Sequence, residues 1–346
     1  MKAIAQRRET AALESLVDRV LCHDVRDAAG KVAVEKGARL TATSAATLLA
    51  TPWDEIHVLA IEAGDLHEED AGRRLAAAVV GDGVEVKGYG GGQWTLAATR
   101  RGLLEIRRGP LGDVNVLEGV SVFTLFAGQP VESGETVAKC KVTPLVIPES
   151  TIRAVETTAR AARGLVAVRG FRPLTLGAVA QERLDARQRA RFEGALQQKA
   201  EWFGSRLLPV RFAGGAPRVI ADELTALRRA GAEILIVAGA SALDPLDPVF
   251  GGLTLLGARM ERHGAPAHPG SLLWLALWEG QLVLGMPTCG MFSQATTFDL
   301  VLPRLLAGEA LGNAEIAALG HGGLLSREMA YRFPAYRVGA ARGELE

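Results

Sequence analysis

Cysteine is scarce in this chain. Its three copies, Cys22, Cys140 and Cys289, lie far apart and fit neither a metal-ligand spacing nor a disulfide framework, which points to a reducing compartment. Charge of one sign is also missing. The 39 Lys and Arg residues balance 39 Asp and Glu, with no basic block, so no field draws a polyanion and no nucleic-acid partner is expected. Aromatic residues make up only 5%, but hydrophobic residues reach 48% and charged ones 23%, a folded, Ala/Gly/Leu-biased balance rather than a disordered one. Long apolar runs are absent too. The most apolar stretch, "SLLWLALWEGQLVLGM", is interrupted by Glu279, Gly280 and Gln281, and each half is too short to span a bilayer. The start, "MKAIAQRRETAALESL", carries charge throughout and has no apolar signal core. A cytoplasmic protein with no membrane partner is the expectation.

At 346 residues the chain has room for two or more domains. Residues 1–83 read as an α+β region. Within it "ETAALESLVDRVLCHDV" has a helical rhythm that turns extended, "TSAATLLATP" is a short capped helix, and "WDEIHVLAI" is a strand. "HEEDAGRRLAAAVVG" is an amphipathic helix with acids at the end where the helix dipole favours them. Residues 84–150 alternate with period two between glycine turns, the pattern of a β-rich module. "ESTIRAVETTARAARG" begins a connecting segment over 151–172, with the natural cut between Pro148 and Pro173.

From 173 to 310 strands alternate with helices: "LTLGAVA", then "DARQRARFEGALQQKAEWFGSRLL", "LPVRFAG", "RVIADELTALRRAG" and "EILIVAGA". This order predicts a three-layer α/β sandwich with a mainly parallel sheet and right-handed crossovers. "EILIVAGA" is apolar almost throughout, as a central strand covered on both faces should be. A strand pair over "SLLWLALWEGQLVLGMP" and a helix capped by Ser293 close the unit, and 311–346 form a tail.

Ligands of such sheets sit outside the carboxyl ends of the strands. Three segments meet there: "AQERLDAR", "AGASALDPLDP" and "GMPTCG". In the second, small residues admit a ligand to the backbone, Ser241 offers a hydroxyl, and Asp244 and Asp247 offer carboxylates for N–H donors or for Mg²⁺. The same "DPLDP" also reads as two Asx-Pro turns and nothing more. Arg187, Arg189 and Arg191 open the first long helix, either as an anion-holding group or as a solvated face. "GYGGGQW" lacks the context of a nucleotide loop and reads as a hairpin turn. Cys22 and His23 are adjacent on a strand and point to opposite faces.

These loops carry a resemblance. From about Pro173 to Glu309 the chain resembles the molybdopterin-binding domain of the MogA, MoaB and MoeA proteins of molybdenum-cofactor biosynthesis. The family's Thr-Gly-Gly loop, followed by Ser and a terminal Asp, is matched by "AGASALDPLD", which keeps Gly239, Ser241 and Asp247. Its Pro-Gly, strand pair and Gly-Leu-Pro-Gly order is matched by "HPGSLLWLALWEGQLVLGMPTCG". Its first loop is matched by "VAQE", which keeps Glu182. The pieces "RVLCHDV", "KGARL", "IEAGDLHEEDAGRRLA" and "VTPLVI" extend the likeness to a MoeA-related subgroup over nearly the whole chain.

The resemblance implies a molybdopterin or related pterin-phosphate ligand, held by Glu182, Gly239, Ser241, Asp244 and Asp247 over a floor of Pro269, Gly270, Gly285 and Pro287. It implies a transferase of metal-insertion or adenylyl-transfer type, with Asp247 and Asp244 catalytic and Asp247 on Mg²⁺. Molybdoenzyme clients and a homo-oligomer follow from it as well. The departures imply the alternative of a carrier, chaperone, sensor or scaffold without catalysis. Val179-Ala180 replaces the Thr-Gly pair, Ala238 and Ala240 flank Gly239, and Thr288 replaces the second Gly of the last loop. A Cβ at such positions removes space that glycine leaves open. The subgroup's cysteine-containing tail is "GHGGLLSREMAYRFPAY" here, without a thiolate and with His321 alone.

Overall fold

The computed structural model describes residues 1–181, 184–240, 242–292 and 295–336. The chain divides into two compact units. The first comprises Met1–Arg100, Glu105–Leu125 and Ser133–Val168; the second comprises Arg101–Leu104, Phe126–Glu132 and the chain from Arg169 onward. Two short pieces of the stretch read as a β-rich module thus belong to the second unit.

In the first unit, strands Lys2–Arg7, Glu55–Ala60 and Arg19–Leu21 form an antiparallel sheet. Helix Ala42–Ala50 contributes Ala45 and Leu48 to a core with Leu16, Leu21, Ile56 and Val58. A second, four-stranded sheet runs in the order Val120–Thr124, Thr136–Val142, Gln93–Ala98, Val84–Gly90. Its last two strands are joined by Gly91 and Gly92, with φ of +60° and +73°. Positive φ at both central residues is what a tight hairpin twisted like its strands requires. Helix Glu68–Val79 and the helix Glu149–Ala161, read as a connector, are both part of this unit and are tied to one another by Arg74.

The second unit holds a mixed seven-stranded sheet, mostly parallel. Its elements are β1 (Thr175–Ala180), α1 (Ala186–Trp202), β2 (Arg206–Leu207), β3 (Arg211–Phe212), α2 (Pro217–Arg229), β4 (Ile234–Ala238), α3 (Pro248–Leu255), β5 (Arg259–His263), β6 (Trp274–Trp278), β7 (Gln281–Met286), α4 (Thr288–Phe292) and α5 (Thr297–Leu306). β1 pairs in parallel with β2, β3 and β4, and β4 with β7; β6 and β5 continue antiparallel. Of the stretch read as one strand, "LPVRFAG", only Arg211 and Phe212 form one, β3; Arg206 and Leu207, read as the end of the preceding helix, form β2, and Pro209, which has no N–H for the ladder, separates the two.

The apolar run of β4 serves two cores. Ile234, Ile236 and Ala238 pack with Phe192 and Leu196 of α1 and with Phe298 and Leu302 of α5. Leu235 and Val237 pack with Ile220, Leu224 and Leu227 of α2 and with Val249 and Leu253 of α3. Burial of each of the larger side chains among these stabilises by about 1.5–3 kcal/mol. α1 opens with a reciprocal cap: Asp185 Oδ1 accepts the Gln188 N–H at 2.8 Å, and Gln188 Oε1 accepts the Asp185 N–H at 2.9 Å. α2 starts with Pro217 at its first position and turns off through Ala230 and Gly231, whose φ is +92°. The cap of α5 is Thr296, not Ser293, which lies outside the described residues: Asp299 Oδ2 accepts the Thr296 N–H at 3.0 Å, and the Thr296 carbonyl accepts the Asp299 N–H at 2.9 Å.

Candidate functional site

Strands β1, β4 and β7 lie side by side, and their carboxyl ends are knit one residue beyond the strands. Gln181 N–H donates to Ala238 O at 3.0 Å, and Gly239 N–H donates to Met286 O at 3.2 Å. Three of the loops singled out in the sequence therefore start from one edge. Gly239 leaves that edge with φ +82°, a conformation that glycine adopts without strain. Glu182 and Ser241 lie outside the described residues.

The two aspartates beyond Gly239 both have local work. Asp244 is exposed, and its Oδ1 accepts the Leu246 N–H at 2.9 Å, while its carbonyl accepts the Asp247 N–H at 3.0 Å. That is an Asx-turn. Asp247 is only 6% exposed, and its Oδ1 accepts the Val249 N–H at 2.9 Å as the N-cap of α3, with Pro248 at the first helical position. His263 Nε2 lies 2.6 Å from Ala242 O and ties the same loop to β5.

The expected floor residues are held from below. Gly270 has φ +107°, and a Cβ there would lie 2.8 Å from Thr297 Oγ1. Thr297 donates its N–H to Pro269 O at 2.9 Å and its hydroxyl to Ala267 O and Pro269 O at 3.0 and 3.1 Å. Gly285 sits inside β7 opposite Trp274, and the indole fills the place of its missing side chain, so that vacancy is taken by the core and is not open to a ligand. Pro287 is buried and turns the chain into α4, its carbonyl accepting the Gly290 N–H at 2.8 Å.

One residue at this edge escaped the sequence reading. Gln181 Oε1 is buried and has no hydrogen-bond partner among the described residues. Its only signal in the sequence was its place directly after the last apolar residue of β1. A buried amide oxygen left without a donor is costly unless something else supplies one. Beside this edge Arg189 lies 4.6 Å over the Phe212 ring and donates Nε–H to Leu184 O, while Arg191 lies 5.6 Å over Phe292. Burial pushes the Cys289 thiol in α4 upward, although the nearby N–H groups of Cys289 and Gly290 oppose that. Among the described residues no group of three His, Cys, Asp or Glu side chains could hold a metal ion, and no helix is long and apolar enough to cross a membrane.

No protein-family profile and no curated protein sequence matches the chain. Solved structures do. It is similar to the molybdopterin biosynthesis MoeA protein from Pyrococcus horikosii, at 13% identity over 70% of this chain and 79% of that one, with a TM-score of 0.31. It is similar to CinA from Thermoplasma acidophilum, at 10% identity over 34% of this chain and 90% of that one, with a TM-score of 0.27. Similarity to MogA is at 17% identity over 34% of this chain and 85% of that one, with a TM-score of 0.23.

Proposed function

We propose that the protein binds molybdopterin, or a closely related pterin phosphate, at the carboxyl edge of β1, β4 and β7, and serves molybdenum-cofactor biosynthesis or delivery as a carrier. The observation that carries the reading is Gln181. Its buried Oε1, without a hydrogen-bond partner among the described residues, stands beside the left-handed turn at Gly239, in the loops whose order and spacing resemble the molybdopterin-binding family. Pterins present ring N–H donors, and an amide oxygen in a dry position would accept one. Asp244 keeps one carboxylate oxygen beyond its turn, and Arg189 and Arg191 supply positive charge for a phosphate. Glu182 and Ser241 belong to the proposed wall by resemblance alone, with Pro269, Gly270 and Pro287 as its floor.

The carrier reading is favoured over a transferase by Asp247. As a Mg²⁺ ligand or catalytic acid its carboxylate would have to face the ligand, but, unlike the exposed Asp244, Asp247 is only 6% exposed, and its Oδ1 caps the first turn of α3. A homo-oligomer, a client molybdoenzyme and a cytoplasmic setting belong to the same proposal.

The test is a titration of molybdopterin into wild type, Gln181→Leu and Asp247→Asn, followed by a turnover assay with MgATP and molybdate. Binding by wild type, weakened about tenfold in Gln181→Leu as loss of one buried hydrogen bond requires, supports the site. Binding without turnover identifies a carrier. A wild-type protein that does not take up the pterin ends the proposal.

A further inference from the structure

Lys199 of α1 and Asp299 of α5 form an ion pair inside the second unit. Nζ lies 2.6 Å from Oδ1, and the side chains are 3% and 0% exposed. Burying two charges is unfavourable unless the pair and its hydrogen bonds are well made, so the other contacts of each partner matter. Asp299 Oδ2 accepts the Thr296 N–H at 3.0 Å and its hydroxyl at 2.9 Å. The neighbouring Thr297 grips the loop at Ala267 and Pro269 as described above. His268 of that loop is in turn laddered to the C-terminal segment: its N–H donates to Gly323 O, and its carbonyl accepts the Leu325 N–H, each at 2.8 Å.

The segment then continues along the unit. Tyr331 O accepts from Gln129 Nε2 at 3.4 Å, and the Tyr331 ring lies 6.4 Å from that of Phe126. Phe333 is buried with Ala295 and Leu325. Tyr336 packs on Trp202 and Phe203, and its ring lies 5.4 Å from Lys199 Nζ. The contacts return to the residue from which they started.

We infer that residues 321–336 are a strap, latched by the Lys199–Asp299 pair, that holds the Pro269–Gly270 loop in place, so that release of the strap and loosening of the loop are one event. Both of its ends lead to the same pair. The first end reaches Asp299 through His268, Thr297 and Thr296; the second lays Tyr336 against the ammonium, which also faces the Phe298 ring at 5.5 Å. A ring over a desolvated cation is attracted to it, and removing the ring lets water reach a pair that was dry. A tail held only by apolar contacts would lack this link to the loop. The device is independent of whether the loop lines a pterin site.

Hydrogen–deuterium exchange of the full chain tests the coupling. Three variants are compared with wild type: Lys199→Met at the latch, Tyr336→Leu at the far end of the strap, and Thr297→Val at the loop. Each is expected to speed exchange on the order of tenfold in both the 265–270 and 321–336 peptides, with β4 and β7 unchanged. Tyr336→Leu and Thr297→Val keep the ion pair, so they decide the matter even if Lys199→Met fails to fold. The inference is overturned if Tyr336→Leu loosens 321–336 while 265–270 keeps its wild-type rate, or if Thr297→Val loosens only the loop.

Discussion

Gly285 and Trp274 are direct partners across the antiparallel pair of β7 and β6, and the indole of Trp274 covers the glycine where any side chain would stand. Trp274 is 1% exposed, and Phe250 meets it edge-on at 5.7 Å, so the ring has no room to step aside. Gly285→Ala is therefore expected to destabilise the protein by about 1–3 kcal/mol through overpacking. A urea titration followed by tryptophan fluorescence checks this. A midpoint equal to that of wild type would mean that the indole can move.

Arg74 holds the first unit's two long helices together. Its guanidinium makes a two-pronged contact with Glu156, Nε to Oε1 at 2.8 Å and Nη2 to Oε2 at 2.9 Å, and a third bond to Glu149 Oε1 at 2.8 Å. These bonds hold both carboxyl groups below the usual glutamate range. A carboxyl with a lowered native pKa adds stability above its unfolded value of about 4.3, and that contribution fades as pH falls through the native value. Arg74→Met should lower the urea midpoint at neutral pH, and the gap to wild type should close as pH drops from about 5 toward about 3. A gap that is constant across that range would assign the arginine a packing role only.

Cys140 lies in strand Thr136–Val142 with its side chain in the core, and burial pushes its thiol up to about 12. The thiolate is the reactive form, so native protein at about pH 8 should leave Cys140 unalkylated. Mass spectrometry after iodoacetamide treatment would locate the label. Cys140 should be modified only once urea unfolds the first unit, which makes it an internal reporter of that transition.

What could be read from the sequence was mostly local. The five apolar residues of β4, the Gly91–Gly92 turn and the spacing of Ile220, Leu224 and Leu227 in α2 are set by neighbours in the chain, and each agrees with its element. The "DPLDP" stretch left two readings open, and the turn-and-cap reading accounts for Asp244 Oδ1 and Asp247 Oδ1. What could not be read depends on partners distant in sequence. Lys199 and Asp299 are 100 residues apart, and nothing around either marks it as buried. The small side of Gly285 points to a ligand floor until the Trp274 ring is placed on it. Gln181 is one polar residue among many until its buried oxygen is seen to have no donor among the described residues.

The allotment of Arg101–Leu104 and Phe126–Glu132 to the second unit bears on how the polypeptide can be cut. Leu103 and Val131 are 1% and 0% exposed, and their strands, Gly102–Ile106 and Pro130–Val131, pair with each other. A gene fragment beginning at Arg169 would leave out both strands together with Gln129, the anchor for Tyr331. Such a fragment would lack two of the three tracts that make up the second unit, and the intact chain must bring all three together before that unit is complete.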